Sequence, residues 1–377
     1  MLARELPADC RPASEKLRSR ASGGRMQLVS FERRESESGA ERPDAARRTA
    51  SLGFESLDTT RPGKRRLGAV LPAGPHAGSI VDLNRALAIQ LAGEDAGAPE
   101  AEADSLLPSD MQAFLRRGPA ALAAARAALE FVADSVDRYD APDLLRAGVV
   151  EPRRRVHLSA PVPHPRKIVA VARNYSAHAR ELGDAAPPSE PVLFLKAPSA
   201  VIGPDDEILL PAATSRVDWE GELAVVIGSH ARGVSAQDAL ACVAGYTVAN
   251  DVSARDFQGE RGQHFIGKSC DSFAPLGPAL VTADEIPDPQ DLGIRTLVSG
   301  ETMQSARTKE MIFGVAEIIA FVSKLMTLEP GDVLLTGTPA GVGASRTPPR
   351  WLHDGDVVEI EIERVGRLRN YVRVSGT

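Results

Sequence analysis

One short segment constrains the fold of this chain more than any other. Residues 218–222 (DWEGE) lead directly into residues 223–227 (LAVVI). Alternate side chains of a strand point to the same face, so the pattern predicts that Glu220 and Glu222 stand side by side. The apolar residues that follow predict a strand buried on both faces. Two like charges held so close repel each other, so this strand needs a positive partner: a lysine, an arginine or a metal ion.

A third carboxylate follows another apolar run. Residues 243–249 (VAGYTVA) predict a second strand, and Asp251 comes just after it. An isolated Glu-x-Glu is usually a solvated face, but Glu220, Glu222 and Asp251 at the ends of buried strands form a set of hard oxygen ligands. These ligands suit Mg²⁺ or Mn²⁺, and Ca²⁺ is also possible. The pattern therefore predicts a divalent metal site.

Three further motifs carry possible chemistry. His178 and Glu181 lie three residues apart, so a helix would place them on one face, where the carboxylate orients the imidazole as a base; a solvated surface pair is the alternative. Lys268 lies in a predicted Gly/Ser loop, where a lysine is usually solvated; in a pocket it would hold a substrate carboxylate or stabilise an oxyanion. Residues 336–343 (TGTPAGVG) form a Gly-rich loop whose N–H groups can cradle an anion, without dinucleotide or Walker A spacing.

Composition excludes several classes of protein. The chain has 377 residues and a net charge of −7, which argues against nucleic acid as a partner. No apolar run approaches the roughly 18 residues needed to span a bilayer, and the first 25 residues lack the apolar core of a signal peptide. The three cysteines, Cys10, Cys242 and Cys270, have no zinc-type spacing and favour a reducing compartment. We expect a cytoplasmic protein without membrane contact.

The pattern along the chain predicts three parts. Residues 1–25 are a disordered extension, and residues 26–156 form a small α+β domain with a disordered stretch at 33–66. Residues 166–374 alternate short strands with Gly/Pro turns, which predicts a mainly β catalytic domain. In detail, we expect Asn84 to cap a helix that begins at Arg85, a loop at 94–104 and a helix at 309–326.

Taken in order, the motifs resemble the fumarylacetoacetate hydrolase family. The matching segments are 173–175 (RNY) with His178 and Glu181, 218–223 (DWEGEL), 250–256 (NDVSARD), 268–275 (KSCDSFAP) and 336–343 (TGTPAGVG). The resemblance covers about 166–372, and residues 26–156 look like the smaller domain of longer members. Residues before Met26 have no counterpart in the family. The resemblance therefore leaves two candidate starts for the protein, Met1 and Met26. One segment departs from the family pattern: 264–267 (HFIG) replaces Trp-x-Arg-Gly at the pocket rim.

The resemblance implies a fold, a ligand set and an assembly. It implies a mixed β-sandwich roll, usually paired as a homodimer, with a lid segment that carries the catalytic dyad. The roles that it implies for single residues are metal ligation by Glu220, Glu222 and Asp251, catalysis by His178, Glu181 and Lys268, and substrate binding by Arg255, Gln258, Gly337 and Thr338.

This site predicts hydrolysis of a C–C bond in a 2,4-diketo acid of the acylpyruvate or fumarylpyruvate type. A metal ion would stabilise the enolate that leaves, and His178 with Glu181 would activate water. The alternatives are decarboxylation of oxaloacetate-like 2-oxo acids, or hydratase or isomerase chemistry at the same metal site. A catalytically silent metal-binding scaffold is a more remote alternative.

Overall fold

The structure is a computed structural model, which describes residues 25–34, 64–94, 97–138, 144–145, 147–183, 186–259 and 263–375. Most of the two segments predicted to be disordered therefore lies outside the described residues. The α-helices that it describes are α1 Leu83–Gly93, α2 Pro99–Leu106, α3 Met111–Arg117, α4 Pro119–Arg138, α5 Ser176–Glu181, α6 Arg255–Gln258, α7 His264–Lys268 and α8 Val315–Leu325.

Strands build most of the molecule. In chain order they are β1 Gln27–Arg33, β2 Arg66–Val70, β3 Ile80–Asp82, β4 Val150–Glu151, β5 Val156–Ser159, β6 Ile168–Ala172, β7 Val192–Lys196, β8 Val201–Ile202, β9 Glu207–Leu210, β10 Val217–Asp218, β11 Gly221–Ile227, β12 Val243–Asn250, β13 Ser253–Ala254, β14 Ala274–Thr282, β15 Gly293–Val298, β16 Glu301–Arg307, β17 Val333–Leu335, β18 Val357–Ile362 and β19 Gly366–Val374. The predicted mainly β, α+β fold is confirmed.

A large sheet joins the N-terminal segment to the later part of the chain. Its strand order is β4-β3-β2-β1-β14-β12-β11-β17-β6-β7. The N-terminal strands join the later ones where β1 pairs with β14, with Leu28 opposite Leu280. Nearly all neighbours are antiparallel, but β17 and β6 run parallel. The N-terminal segment and the later strands therefore share one continuous sheet, while the predicted domain limits stay a prediction.

The strand that carries the paired glutamates lies in the middle of this sheet. Every residue of β11 is buried, as its apolar sequence predicts. One face of β11 and β12 packs against a second sheet, ordered β16-β15-β18-β19-β9. A Cβ atom on Gly221 would lie 2.2 Å from Thr296 Oγ1 of that sheet. Only glycine fits there, so the two sheets approach closely beneath the predicted metal site.

Three local predictions were wrong. Residues 94–104 were expected to form a loop, but α2 begins at Pro99, where proline at the first turn and Glu100 with Glu102 favour a helix start. Asp82 rather than Asn84 caps α1, by accepting a hydrogen bond from the Arg85 N–H.

The third concerns the helix predicted at 309–326. It begins only at Val315, because residues Thr308–Glu310 form a separate 3₁₀ turn.

Candidate functional site

The three predicted metal ligands lie together where β11 and β12 pair. Glu220 immediately precedes β11 and Glu222 is its second residue, while Asp251 follows the last residue of β12. The register places Gly221 opposite Asn250, and the Asp251 N–H donates to the Glu220 carbonyl at 2.8 Å. One oxygen from each of the three carboxylates lies within 4.8 Å of the others. All three side chains are buried.

Three cations surround the carboxylates. Lys268 Nζ lies 2.8 Å from Glu220 Oε2 and 2.5 Å from Asp251 Oδ2. Arg255 Nη2 lies 2.7 Å from Glu220 Oε1. Lys196 Nζ, which is fully buried, lies 2.5 Å from Asp251 Oδ1. Lys268 belongs to the short helix α7 rather than to a Gly/Ser loop.

Sequence reasoning missed Lys196. The signal available was one lysine at the end of the otherwise apolar strand β7. A lysine in that position is usually solvated, and only the contact with Asp251 shows that it is not.

The two glutamates experience opposite electrostatic environments. Burial opposes ionisation of Glu220, but the charges of Lys268 and Arg255 outweigh it and hold the Glu220 pKa below its usual value. Burial and the charges of Asp251 and Glu220 hold the pKa of Glu222 well above its usual value. Among the described residues, Lys196, Lys268 and Arg255 pair with Glu220 and Asp251, and none of them pairs with Glu222.

This donor set fits a hard divalent cation. The three buried carboxylates offer only oxygen atoms, which Mg²⁺ and Mn²⁺ prefer. A cation among them would relieve the repulsion that raises the pKa of Glu222. The residues thus fit the metal dependence that the sequence predicts.

The structure places the predicted dyad in one short helix. His178 Nδ1 lies 3.0 Å from Glu181 Oε2 in α5, and His178 is only 3% exposed. Glu181 also accepts a hydrogen bond from the Gly341 N–H at 3.0 Å. Because a carboxylate can only accept, His178 donates through Nδ1–H, and in the neutral imidazole Nε2 then carries the lone pair of a base. His178 is buried and Glu181 is half-buried, so the two do not form a fully solvated surface pair.

A cavity of about 210 Å³ brings most of the predicted residues together. The predicted residues that line it are His178, Glu220, Arg255, Gln258, Lys268 and Thr338. Glu181, Glu222, Asp251 and Gly337 are not among its lining residues. Gln258 Nε2 is buried and has no hydrogen-bond partner among the described residues, so it is a donor available to a ligand.

An aromatic wall of the cavity went unpredicted. His264 stacks on Phe194 with ring centroids 5.1 Å apart, and Lys268 Nζ lies 5.2 Å from the Phe194 centroid. His264 belongs to the segment that departs from the family pattern. The departure therefore places an imidazole at the cavity wall.

The Gly-rich loop cradles anions, as predicted, but the anions are the protein's own carboxylates. The Gly337 N–H donates to Glu222 Oε2 at 2.7 Å, and the Gly341 N–H donates to Glu181. The Gly343 N–H donates to Asp218 at 2.7 Å. The loop therefore orients a predicted metal ligand, Glu222, and the predicted dyad. Substrate binding by Gly337 itself stays a prediction.

Asp218 holds one side of the site. It is fully buried and accepts hydrogen bonds from the N–H groups of Gly343 and Ala344 and from Arg255 Nε at 3.0 Å. Arg255 in turn reaches Glu220. Asp218 thus fixes the arginine that lines the cavity beside a metal ligand.

Comparison with known proteins identifies the family. Residues 167–373 match the model described as fumarylacetoacetate (FAA) hydrolase C-terminal. A bovine protein named oxaloacetate tautomerase FAHD2A, mitochondrial, is 45% identical over 309 residues, which cover 80% of this chain and 88% of that protein. The human protein of the same name is 47% identical over 271 residues, 71% of this chain and 81% of that one.

Similar solved structures support the same family. Fumarylacetoacetate hydrolase from Exiguobacterium antarcticum is 33% identical, with a TM-score of 0.64, and the match covers 93% of this chain and 99% of that chain. A 2-hydroxyhepta-2,4-diene-1,7-dioate isomerase from Mycobacterium marinum is 45% identical, with a TM-score of 0.54, over 61% of this chain and 82% of that chain.

The comparisons also bear on location and membrane contact. The expected cytoplasmic location is contradicted, because the names of the bovine, human and Xenopus laevis relatives assign those proteins to mitochondria. Among the described residues, no helix has both the length and the apolar character needed to cross a bilayer.

The motifs, the buried carboxylate set and the matched relatives lead to one conclusion. This chain belongs to the fumarylacetoacetate hydrolase family of enzymes.

Proposed function

We propose that the protein interconverts the enol and keto forms of a short 2-oxo diacid such as oxaloacetate. The observation that carries the proposal is that the His178 imidazole and the Lys268 ammonium line the same cavity as Glu220. A base and a cation beside a metal ligand are the groups needed to move a proton next to a carbonyl. Curated relatives named oxaloacetate tautomerase and a solved relative named as an isomerase of an enol diacid support this reaction.

Glu220, Glu222 and Asp251 would hold the metal ion, Mg²⁺ or Mn²⁺. When bound, such an ion supplies Lewis-acid polarisation of the 2-oxo acid and charge stabilisation of its enolate form. The homodimer that the family resemblance implies stays a prediction.

The residues of the chain supply the proton transfer. His178 takes a proton from C3 of the keto form through Nε2, the C–H electron pair forms the C2=C3 double bond, and a proton returns to the C2 oxygen. Glu181 holds the imidazole in the required tautomer. Lys268 stabilises negative charge on the substrate, and Gln258 Nε2 donates a hydrogen bond to it.

Hydrolysis of an acylpyruvate-like diketo acid is the second candidate. The similarity to the Exiguobacterium antarcticum hydrolase, which extends over 93% of this chain, favours it. The same dyad would then take a proton from water, which attacks the second carbonyl and breaks the C–C bond.

An assay of enol oxaloacetate tests the proposal. With Mg²⁺ or Mn²⁺ present, the wild-type protein should accelerate the loss of enol absorbance without releasing pyruvate. His178→Asn should lower the rate at least about 100-fold, because it removes the general base. His157→Asn is the matched control, because His157 also faces a carboxylate, Asp206, at 3.2 Å but lies outside the cavity.

Product analysis separates the alternatives. Pyruvate release from oxaloacetate would favour decarboxylation, and pyruvate release from an acylpyruvate alone would favour hydrolysis. A wild-type rate of enol loss equal to that with metal alone would contradict the tautomerase proposal.

A further inference from the structure

We propose that Gln304 is a positioning residue that sets the Thr338 hydroxyl and the backbone between the two metal-binding glutamates. Gln304 lies on β16 of the second sheet and is 1% exposed. It does not line the cavity, whereas Thr338 does. The inference rests on the proposed ligand cavity, but not on which reaction takes place there.

Gln304 uses every part of its amide. Its Oε1 accepts a hydrogen bond from the Gly221 N–H at 2.9 Å. Its Nε2 donates to Thr338 Oγ1 at 2.7 Å and to the Pro339 carbonyl at 2.8 Å. The Thr338 hydroxyl then donates to the Gly221 carbonyl at 2.9 Å. Gln304, Thr338 and Gly221 therefore form a closed ring of hydrogen bonds.

The chemistry of the partners allows only one direction around this ring. The Gly221 N–H can only donate and the Pro339 carbonyl can only accept, so the Gln304 amide has one possible orientation. Nε2 then gives a proton to Thr338 Oγ1, and the threonine must direct its own proton to the Gly221 carbonyl. Gln304 thus determines both the rotamer of Thr338 and the direction of its hydroxyl proton.

The Gly221 side of the ring reaches the metal ligands. Gly221 separates Glu220 from Glu222, and both of its backbone groups belong to the ring. Thr296 Oγ1 leaves no space for a Cβ atom at this position, so no side chain at 221 can hold the strand in place. One buried amide therefore connects the carboxylate strand to the threonine of the cavity wall.

A double-mutant cycle tests whether Gln304 acts through Thr338. The variants are Gln304→Met, Thr338→Val and the pair, and the probe is oxalate with Mg²⁺, a chelator shaped like the enolate of a 2-oxo acid. Calorimetry should show each single variant binding oxalate roughly 10-fold more weakly, about the value of one hydrogen bond of the ring. The loss is expected because each variant opens the ring that holds Gly221 between the two glutamates, since the Thr338 hydroxyl gives its proton to the Gly221 carbonyl and not to oxalate. The pair should bind no more weakly than Thr338→Val alone.

Gln290→Met is the matched control. Gln290 also accepts from a backbone N–H, of Val315, and donates to a carbonyl, of Thr308, but it lies outside the cavity. It should lower the melting temperature without changing the oxalate Kd. If Gln304→Met fails to fold, Gln304→Glu replaces it, with the same non-additivity expected.

Several results would overturn the inference: additive losses in the cycle, an unchanged oxalate Kd in Gln304→Met, an equal loss in Gln290→Met, or no oxalate binding by the wild-type protein. A wild-type protein that binds oxalate but does not tautomerise oxaloacetate would defeat the proposed function. It would leave the role of Gln304 testable by the same cycle.

Discussion

Two clusters of buried and half-buried charges in the described part of the chain differ in their ratio of cations to carboxylates. In the N-terminal segment, Arg33, Arg66 and Arg85 surround Asp82, and Arg33 also pairs with Glu151. Three cations there meet two carboxylates. In the predicted metal site, the described cations Lys196, Lys268 and Arg255 pair with Asp218, Glu220 and Asp251, and Glu222 lies beside them as a fourth carboxylate.

This difference in the balance of cations and carboxylates indicates which cluster a bound cation would stabilise. Surplus guanidinium groups can donate to backbone carbonyls, and Arg85 donates to those of Ala147 and Gly148, while burial lowers its pKa to about 9. Surplus carboxylates can use only donors or cations. Glu222 accepts one N–H, from Gly337, and its pKa stays well above the usual value. Backbone carbonyls meet part of the excess in the first cluster, although Arg85 Nε and Nη2 have no hydrogen-bond partner among the described residues. The second cluster fits a metal ion.

The largest expected effect comes from removing the excess carboxylate. Glu222→Gln should lower activity roughly 1,000-fold, because a metal ion contributes several kcal/mol of charge stabilisation. Its Mn²⁺ affinity, measured by calorimetry, should fall with the activity. Glu361→Gln weakens the exposed pairs with Arg295 and Arg367, which lie outside the site, and should change neither. Full activity in Glu222→Gln would remove the distinction between the two clusters.

A substitution in the N-terminal cluster should lower the stability of the protein rather than its activity. Asp82→Asn leaves buried guanidinium groups without their carboxylate, which should cost about 3–5 kcal/mol in the free energy of unfolding by urea. The Mn²⁺ affinity of the folded protein should stay unchanged. Asp284→Asn, at the exposed pair with Arg126, should cost less than about 1 kcal/mol. A loss of Mn²⁺ affinity in Asp82→Asn would show that the clusters are not independent.

The smallest expected effect is a dependence of stability on pH. Because the folded pKa of Glu222 lies above the unfolded value near 4.5, its contribution to stability is complete below pH 4.5 and is lost as the pH rises through the folded pKa. The metal-free protein should therefore lose on the order of a few degrees in Tm over that rise, relative to Glu222→Gln. Mg²⁺ should restore it. Parallel Tm profiles of the two metal-free proteins would contradict this assignment.

Local pattern was sufficient wherever a residue's environment follows from its neighbours. The period of two and the apolar run predicted that β11 is buried and that Glu220 and Glu222 lie at its start. The three-residue spacing predicted the contact between His178 and Glu181. The loop expected at 94–104 failed because the acidic composition concealed the helix start at Pro99.

The sequence by itself identified the three carboxylates, the His178–Glu181 pair and the family, because short motifs with fixed spacing carry them. Only the tertiary structure decided which basic and polar side chains contact these residues and their backbone. Lys196 meets Asp251 across 55 positions of sequence, and Gln304 meets Gly221 across 83. A lysine or a glutamine is usually solvated, and no local rule says which one is buried against a partner so far along the chain. The tertiary fold makes that choice: it brings Lys196, at one edge of the large sheet, to Asp251, and it packs Gln304 of the second sheet against Gly221.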